Sequence, residues 1–202
     1  MKKVYITTAL LCFVAATGFA QKSLFGVGWN INFPKNDGYL TKTSYAGGKL
    51  EYRHFINQNF SVGAALDWTT FEQHLPKQTF EKPDGSSAVT SDFIIQSYHL
   101  PVTAIGHYYW KQTKILRPYV GVALGGNYVE QSLYYNVYVS DENNWGFVVR
   151  PELGTLIIPG GIFQGWGIIV AANYSYATNK TEIINKSDFK NVGVTLGFVF
   201  GQ

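Results

Sequence analysis

The sequence has one cysteine, few charged residues and no long apolar segment after its first twenty residues. A lone cysteine, Cys12, excludes a disulfide framework. Charged residues make up 14% of the chain and the formal net charge is only +3, which argues against a nucleic-acid partner or an electrostatic tether to a membrane surface. No window beyond the N-terminal segment is long and apolar enough for a transmembrane helix, and heptad repeats are absent.

The N-terminal segment, MKKVYITTALLCFVAATGFA, has the features of a secretory signal peptide. Lys2 and Lys3 precede an apolar run that is too short for a spanning helix, and small residues follow it. We expect cleavage after Ala20, which removes the two lysines and lowers the formal net charge from +3 to +1. The same cleavage removes Cys12, which does not follow a small residue and is therefore not expected to carry a lipid.

The chain is rich in glycine and aromatic residues, with 21 Gly, 14 Tyr, 14 Phe and 5 Trp. These residues recur with a period of two, which favours β-strands over helices. The closing stretch KNVGVTLGFVFGQ is typical, because large apolar residues on one face alternate with glycine and threonine on the other. The alternation predicts eight strands: Leu24–Phe33, Ser44–Ile56, Phe60–Thr70, Asp92–Tyr109, Arg117–Val129, Trp145–Ile158, Trp166–Ala177 and Lys190–Gln202.

The predicted connections alternate in length. The short ones are Asn57–Asn59, Lys111–Ile115 and Pro159–Gln164. The long polar ones are Pro34–Thr43, Glu72–Ser91, Gln131–Asn144 and Thr178–Phe189. Short turns at one end and long loops at the other are typical of the periplasmic and extracellular ends of a transmembrane β-barrel. The sequence therefore predicts an all-β fold, an eight-stranded antiparallel transmembrane up-and-down barrel with both termini in the periplasm.

The charged residues within the strands fall on one consistent face, the less apolar one. In a soluble lipocalin-like barrel the apolar face would line a ligand cavity and the charges would lie outside. In a narrow membrane barrel the apolar face contacts lipid, and the charges must pair with one another in the lumen. We favour the membrane barrel and predict a lumen charge network, with an ion path as the alternative role, formed by Lys49, Glu51, Arg53, Asp67, Arg117, Arg150 and Glu152.

The stretch SYHLPVTAIGHYYWKQTKILRPYVGVALGGNY resembles the small outer-membrane β-barrel proteins of the Bacteroidetes, a porin-family or OmpA-like β-barrel group. The matching positions are Tyr98, Leu100, Pro101, Arg117, Pro118, Tyr119, Val120, Gly121, Gly125 and Tyr128. The resemblance implies that residues 21–202 form one β-barrel domain in the outer membrane of a Gram-negative cell. The sequence departs from the family pattern at His99, where relatives often carry an acidic residue.

The last strand is similar to the signal that the barrel-assembly machinery recognises, at Asn191, Gly193, Leu196 and Phe198. Ordinary strand alternation produces much of the same pattern. The expected partners are therefore outer-membrane lipid and lipopolysaccharide, the assembly machinery during insertion, and a protein partner at the extracellular loops. No cofactor and no nucleic acid are expected.

Three functions remain open at this point. The first is a non-enzymatic structural or interaction role through the extracellular loops, including an accessory role in secretion or surface assembly. The second is a narrow pore or small-solute transporter, and the third is an enzyme that modifies the acyl chains of lipid A or phospholipid. We favour the first and expect no catalytic, cofactor-binding or metal-binding residues. His99 and His107 lie about 26 Å apart along one strand, too far to share a metal, and His54 precedes a turn predicted to be periplasmic.

Overall fold

The computed structural model describes residues 23–35, 40–81, 88–110, 113, 115–135, 138–159, 165–180 and 188–201. The predicted signal peptide lies outside these residues. Eight strands form: β1 Ser23–Pro34, β2 Ser44–Phe55, β3 Phe60–Glu81, β4 Ala88–Tyr109, β5 Leu116–Tyr135, β6 Tyr138–Ile157, β7 Gly165–Ala177 and β8 Phe189–Gly201. No helix in the described part of the chain is long and apolar enough to span a membrane.

The eight strands close into a barrel in chain order. Each strand pairs antiparallel with the next, and β1 pairs with β8 from Leu24 opposite Gly201 to Pro34 opposite Asn191. The predicted eight-stranded antiparallel barrel is confirmed. We call the end that carries the β2–β3, β4–β5 and β6–β7 connections the lower end, and the opposite end the upper end.

The prediction that two segments are loops is wrong, because most of each segment is strand: Glu72–Ser91 and Gln131–Asn144. The β3–β4 ladder continues to Glu81 opposite Ala88, and the β5–β6 ladder continues to Tyr135 opposite Tyr138. A register shift between Leu75 and Gln78 admits Pro76, which cannot donate to the ladder. Polar residues and Pro76 interrupt the sequence alternation in these segments, although Phe93, Ile95 and Leu133 still form a buried apolar face on the upper strand parts.

The outer face of the barrel is apolar. Val122, Leu124, Leu196 and Phe198 are 43–56% exposed at positions that alternate with buried ones. Exposed aromatic side chains lie near both ends, as is typical of the two interfaces of an outer-membrane barrel. Those near the lower end are Tyr52, Phe60, Tyr108, Trp166 and Phe200, and those near the upper end are Phe33, Tyr45, Trp145, Tyr174 and Tyr176.

The glycines on the inner face of β8 make room for neighbours. A Cβ at Gly193 would lie 2.7 Å from Asn173 Oδ1 and 2.9 Å from Asn32 Oδ1, so larger residues would displace side chains that fill the lumen. A Cβ at Gly197 would collide with the backbone of Val27 and Gly28 on β1. The nearly empty face of this strand is therefore the face that a crowded lumen requires.

Candidate functional site

The lumen contains six buried charged side chains from β2, β3 and β6. Three are cationic and three are anionic, so the formal charges of the set cancel: Lys49, Arg53, Arg150, Glu51, Asp67 and Glu152. All six are no more than 7% exposed. Charges that are this deeply buried persist only when they are paired and hydrogen-bonded.

Four of these side chains form a closed ring of ion pairs, which we call the charged ring: Lys49, Glu51, Arg53 and Glu152. Lys49 Nζ lies 3.0 Å from Glu51 Oε2 and 2.8 Å from Glu152 Oε2. Arg53 Nε lies 2.9 Å from Glu51 Oε1, and Arg53 Nη2 lies 3.5 Å from Glu152 Oε1. Each cation therefore contacts both carboxylates, and the ring joins β2 to β6 across the lumen.

Two tyrosines below the ring add hydrogen bonds to it. Arg53 donates from Nη1 to Tyr109 Oη and from Nη2 to Tyr119 Oη, each over 3.0 Å. Tyr119 in turn donates to Glu152 Oε1 over 2.7 Å, and its ring centroid lies 4.5 Å from the Arg53 guanidinium carbon. His107 Nε2 lies 3.8 Å from Glu152 Oε1. The guanidinium of Arg53, which is fully buried, is thus enclosed by carboxylates and phenols.

The remaining two charges form a separate pair above the ring. Arg150 Nη2 donates to Asp67 Oδ2 over 2.7 Å. Asp67 Oδ1 accepts a hydrogen bond from Asn30 Nδ2 over 3.0 Å. Asp67 lies opposite Lys49 in the β2–β3 register, yet its carboxylate bonds to Arg150 across the lumen. The pair therefore connects the charged ring to a layer of neutral amides.

This amide layer lies between the Asp67–Arg150 pair and the upper end. Asn191 Nδ2 donates to Asn32 Oδ1 over 2.8 Å, and Asn32 Nδ2 donates to Thr69 Oγ1 over 3.1 Å. Asn127 Nδ2 donates to Asn179 Oδ1 over 2.8 Å, and Asn179 Nδ2 donates back to the Asn127 carbonyl over 3.0 Å. Amides suit this position because each one supplies both donors and an acceptor without a charge.

Apolar clusters border the polar lumen at both ends. The lower cluster consists of Leu24, Phe55, Tyr109, Tyr119, Leu156, Ile158, Ile169, Ala171 and Val199. The upper cluster consists of Leu40, Phe71, Phe93, Ile95, Leu133, Val148, Ala177 and Phe189. A cavity of about 30 Å³ remains between the upper cluster and the Asp67–Arg150 pair. This stacking leaves little space for solute in the described lumen.

Arg117 is the predicted network residue that the structure does not bring into the lumen cluster. It is the second residue of β5, at the lower end, and its side chain is only half-buried. Arg117 shares the strand parity of the buried charged residues but lies nearer the lower end, and its membership of the network stays a prediction.

The predicted assembly signal is distributed over both faces of β8. Asn191 is buried in the lumen beside Gly193, whereas Leu196 and Phe198 are exposed on the outer face. This is the amphipathic arrangement that any lipid-facing strand adopts, and recognition by the assembly machinery stays a prediction.

Tyr109, Tyr119 and the amide layer are lumen residues that the charge pattern did not identify. Those within strands lie on the buried face of their strand, so parity was the signal that could have included them, whereas Asn179 follows the end of β7. Parity alone does not show which neutral residues meet across a barrel.

His54, His99 and His107 contact different neighbours in the described structure. His99 is buried, with Nε2 2.9 Å from Ser97 Oγ and its ring 4.2 Å from the Phe189 ring. His107 lies beside the charged ring, and His54 Nδ1 lies 3.2 Å from Ser23 Oγ at the lower end. Within the described ranges, no group of three or more His, Cys, Asp or Glu residues is placed to hold a metal ion.

Comparison with known proteins places these features in a family. The family model for the outer membrane protein beta-barrel domain matches residues 6–201. Ail, the attachment invasion locus protein of Yersinia pestis, solved in complex with the heparin analogue sucrose octasulfate, is 19% identical with a TM-score of 0.50, over 88% of this chain and 96% of Ail. Neisserial surface protein A is 13% identical with a TM-score of 0.54, over 89% of this chain and 97% of that protein. At these identities the two structures show the fold alone. A search of curated proteins found no match.

Proposed function

Because this chain belongs to the outer membrane protein beta-barrel domain family, we propose that it is a non-enzymatic outer-membrane protein with a side-chain-filled lumen. We propose that it acts through the strands that extend above the barrel at the extracellular end, after delivery by a cleaved signal peptide. The observation that carries the first part is the filled lumen, in which the charged ring, the amide layer and two apolar clusters follow one another. A conducting pore would need a continuous path through these layers.

The interaction surface is a four-stranded sheet that extends above the barrel. The β2–β3 ladder ends with Ala46 opposite Thr70, and the β6–β7 ladder ends with Val148 opposite Ala177. Above these points, among the residues that the structure describes, β3, β4, β5 and β6 continue to pair with one another. We call this part the projecting sheet. It presents ordered backbone, rather than loops alone, to the cell exterior.

The charge of the projecting sheet suggests the kind of partner. Glu72, Glu130 and Asp141 are exposed and share its outer face with Ile94 and Tyr134. An acidic face repels a polyanion, so the heparin-like ligand bound by Ail is not favoured for this chain. We propose a protein partner with a basic or polar surface, such as a component of secretion or surface assembly.

Planar-bilayer recordings test the filled lumen. The wild-type protein is expected to show no sustained conductance, and a stable open channel would favour a narrow pore instead. Release of acyl chains from lipid A or phospholipid by the purified protein would favour an enzyme.

The orientation is tested by epitope tags on intact cells. A tag within residues 82–87 should be reachable by antibody, and a tag within Asn57–Asn59 should not.

The partner is tested by crosslinking in native outer membranes. Reversal of three charges, with Glu72→Lys, Glu130→Lys and Asp141→Lys, should abolish a specific crosslinked species that Asn143→Gln on the same face retains. A crosslinking pattern that the charge reversal leaves unchanged would contradict the role of this face.

A further inference from the structure

Three buried polar atoms lack a hydrogen-bond partner and belong to residues that line one cavity. Among the residues that the structure describes, Asn127 Oδ1, Asn191 Oδ1 and Arg150 Nε make no hydrogen bond to protein. The three residues are 1%, 7% and 5% exposed, respectively. All three line the lumen cavity of about 30 Å³ between the Asp67–Arg150 pair and the upper cluster. Buried polar groups in native proteins rarely remain without partners, so this convergence requires an explanation.

The orientation of both amides is determined by their other hydrogen bonds. Asn127 Nδ2 donates to Asn179 Oδ1, and Asn191 Nδ2 donates to Asn32 Oδ1, each over 2.8 Å. Exchanging oxygen and nitrogen in either amide would bring two oxygens into contact. A joint flip of Asn32 and Asn191, with the Thr69 hydroxyl as donor, would pair Asn191 Oδ1 but leave Asn191 Nδ2 unpaired. Each orientation of the two amides therefore leaves a polar atom of Asn127 and one of Asn191 without a protein partner.

The atoms of the charged ring that lack a hydrogen bond do not require a further partner. Glu51 Oε1 and Arg53 Nε also lack an aligned hydrogen bond, but they face each other at 2.9 Å as an ion pair. The cavity is therefore a distinct place in the lumen where donors and acceptors are left over.

We propose that this cavity is a binding site for ordered water, with room for one or two molecules. A buried water needs about 10–15 Å³ of probe volume and two to four polar partners, and the cavity of about 30 Å³ offers three. One water can donate to an amide oxygen and accept from the guanidinium N–H of Arg150. It therefore matches a mixed set of two acceptors and one donor.

Ions match this site less well than water. A metal cation would meet the positive charge of Arg150, and its ligand shell would have to include an N–H donor. A halide would face the oxygens of Asn127 and Asn191 and lie close to the Asp67 carboxylate, which also lines the cavity. Phe71 and Phe189 of the upper cluster border the same cavity, so part of its wall is aromatic.

Water-to-protein cross-relaxation in nanodiscs tests the proposal. In the wild type, the non-exchanging Hβ protons of Asn127 and Asn191 should show NOE and ROE peaks to water of opposite sign, which report a long-lived water. Asn191→Leu fills part of the cavity and should abolish the Asn127 peak, whereas Thr103→Val, buried in the lumen outside the cavity, should retain it. Absence of wild-type peaks would overturn the site.

A crystal structure at better than about 2 Å gives a second readout if Asn191→Leu does not fold. One or two water peaks within hydrogen-bond distance of at least two of the three atoms are expected. Soaks in rubidium or bromide should leave no anomalous peak in the cavity. An empty cavity, or an ion bound there, would overturn the proposal. Neither readout depends on conductance, so failure here is distinguishable from failure of the closed-lumen function.

Discussion

The charged ring and the amide layer fill the same narrow lumen by different means. In the ring, Lys49 and Arg53 each contact both Glu51 and Glu152, and the four charges cancel only as a set. In the amide layer every member is neutral, and Asn32, Asn127 and Asn191 line the adjacent cavity, where water can replace a protein partner. A single substitution in the charged ring should therefore destabilise the protein strongly, whereas a single substitution in the amide layer should destabilise it only slightly.

The difference teaches that the cost of a lumen substitution depends on what can solvate the group left behind. A stranded charge in the ring is surrounded by side chains that are themselves at most 7% exposed. A stranded amide borders a polar cavity. If the two layers responded alike, the lumen would be either uniformly dry or uniformly wet, and the second case would favour a pore.

The largest effect is expected from Glu152→Gln. Glu152 accepts from Lys49 and Tyr119 and lies 3.5 Å from Arg53. Removing its charge leaves one uncompensated cation, which should lower the free energy of unfolding by about 3–5 kcal/mol. Urea unfolding from lipid vesicles, followed by tryptophan fluorescence, measures the change. The matched control is Glu130→Gln on the exposed face of β5, which should change stability by less than about 0.5 kcal/mol. A loss below about 1 kcal/mol for Glu152→Gln would show that water reaches the ring.

A compensating second substitution should restore part of that loss. Lys49→Gln added to Glu152→Gln removes one cation as well as one carboxylate, and Arg53 keeps Glu51 at 2.9 Å. The double variant should be more stable than Glu152→Gln alone, with a coupling energy of about 0.5–3 kcal/mol in the same unfolding experiment. Strictly additive losses would contradict a ring held together by charge neutrality.

Asp67→Asn should have an intermediate effect because the Asp67–Arg150 pair lies between the two layers. The substitution removes a charge-assisted hydrogen bond of 2.7 Å, worth about 1.5–3 kcal/mol. The remaining Arg150 lines the cavity, where water can solvate it in part. The loss of unfolding free energy should therefore be smaller than for Glu152→Gln. An equal or larger loss would contradict the inference that water solvates Arg150 better than the charged ring.

The fold was predictable where lipid imposes one rule on every strand. Period-two alternation identified all eight strands and the parity of their faces, because the outer face of a membrane barrel must be apolar. The upper ends of β3 to β6 have polar residues on the outer face, so most of them were predicted to be loops. Their inner face nevertheless stays buried and apolar at Ile95 and Leu133.

The lumen was only partly predictable, because cross-barrel contacts depend on strand tilt and register. Six of the seven charges predicted to pair do meet in the lumen. Parity did not predict which charges pair. Arg53 meets Glu51 on its own strand and Glu152 across the barrel, and Asp67 meets Arg150 across the barrel. The amide layer has no charge to reveal it, although its parity matches.

The smallest effect is expected from Asn32→Ala in the amide layer. Asn32 donates to Thr69 Oγ1 over 3.1 Å and accepts from Asn191 Nδ2 over 2.8 Å, so the substitution removes two neutral hydrogen bonds. Each such bond contributes about 0.5–1.5 kcal/mol net, and a partner left buried and unpaired costs about 1–3 kcal/mol. Here the cavity that Asn32 lines gains space for another water, which can bond to both Thr69 and Asn191. The total loss in vesicle unfolding should therefore stay near about 1 kcal/mol, well below that of Glu152→Gln. Thr103→Val, away from the cavity, serves as the control for a single lumen hydrogen bond. A loss of about 3 kcal/mol or more of unfolding free energy for Asn32→Ala would mean that water does not replace the amide. Substitutions in the charged ring and in the amide layer would then have similar effects on stability, which would contradict the comparison.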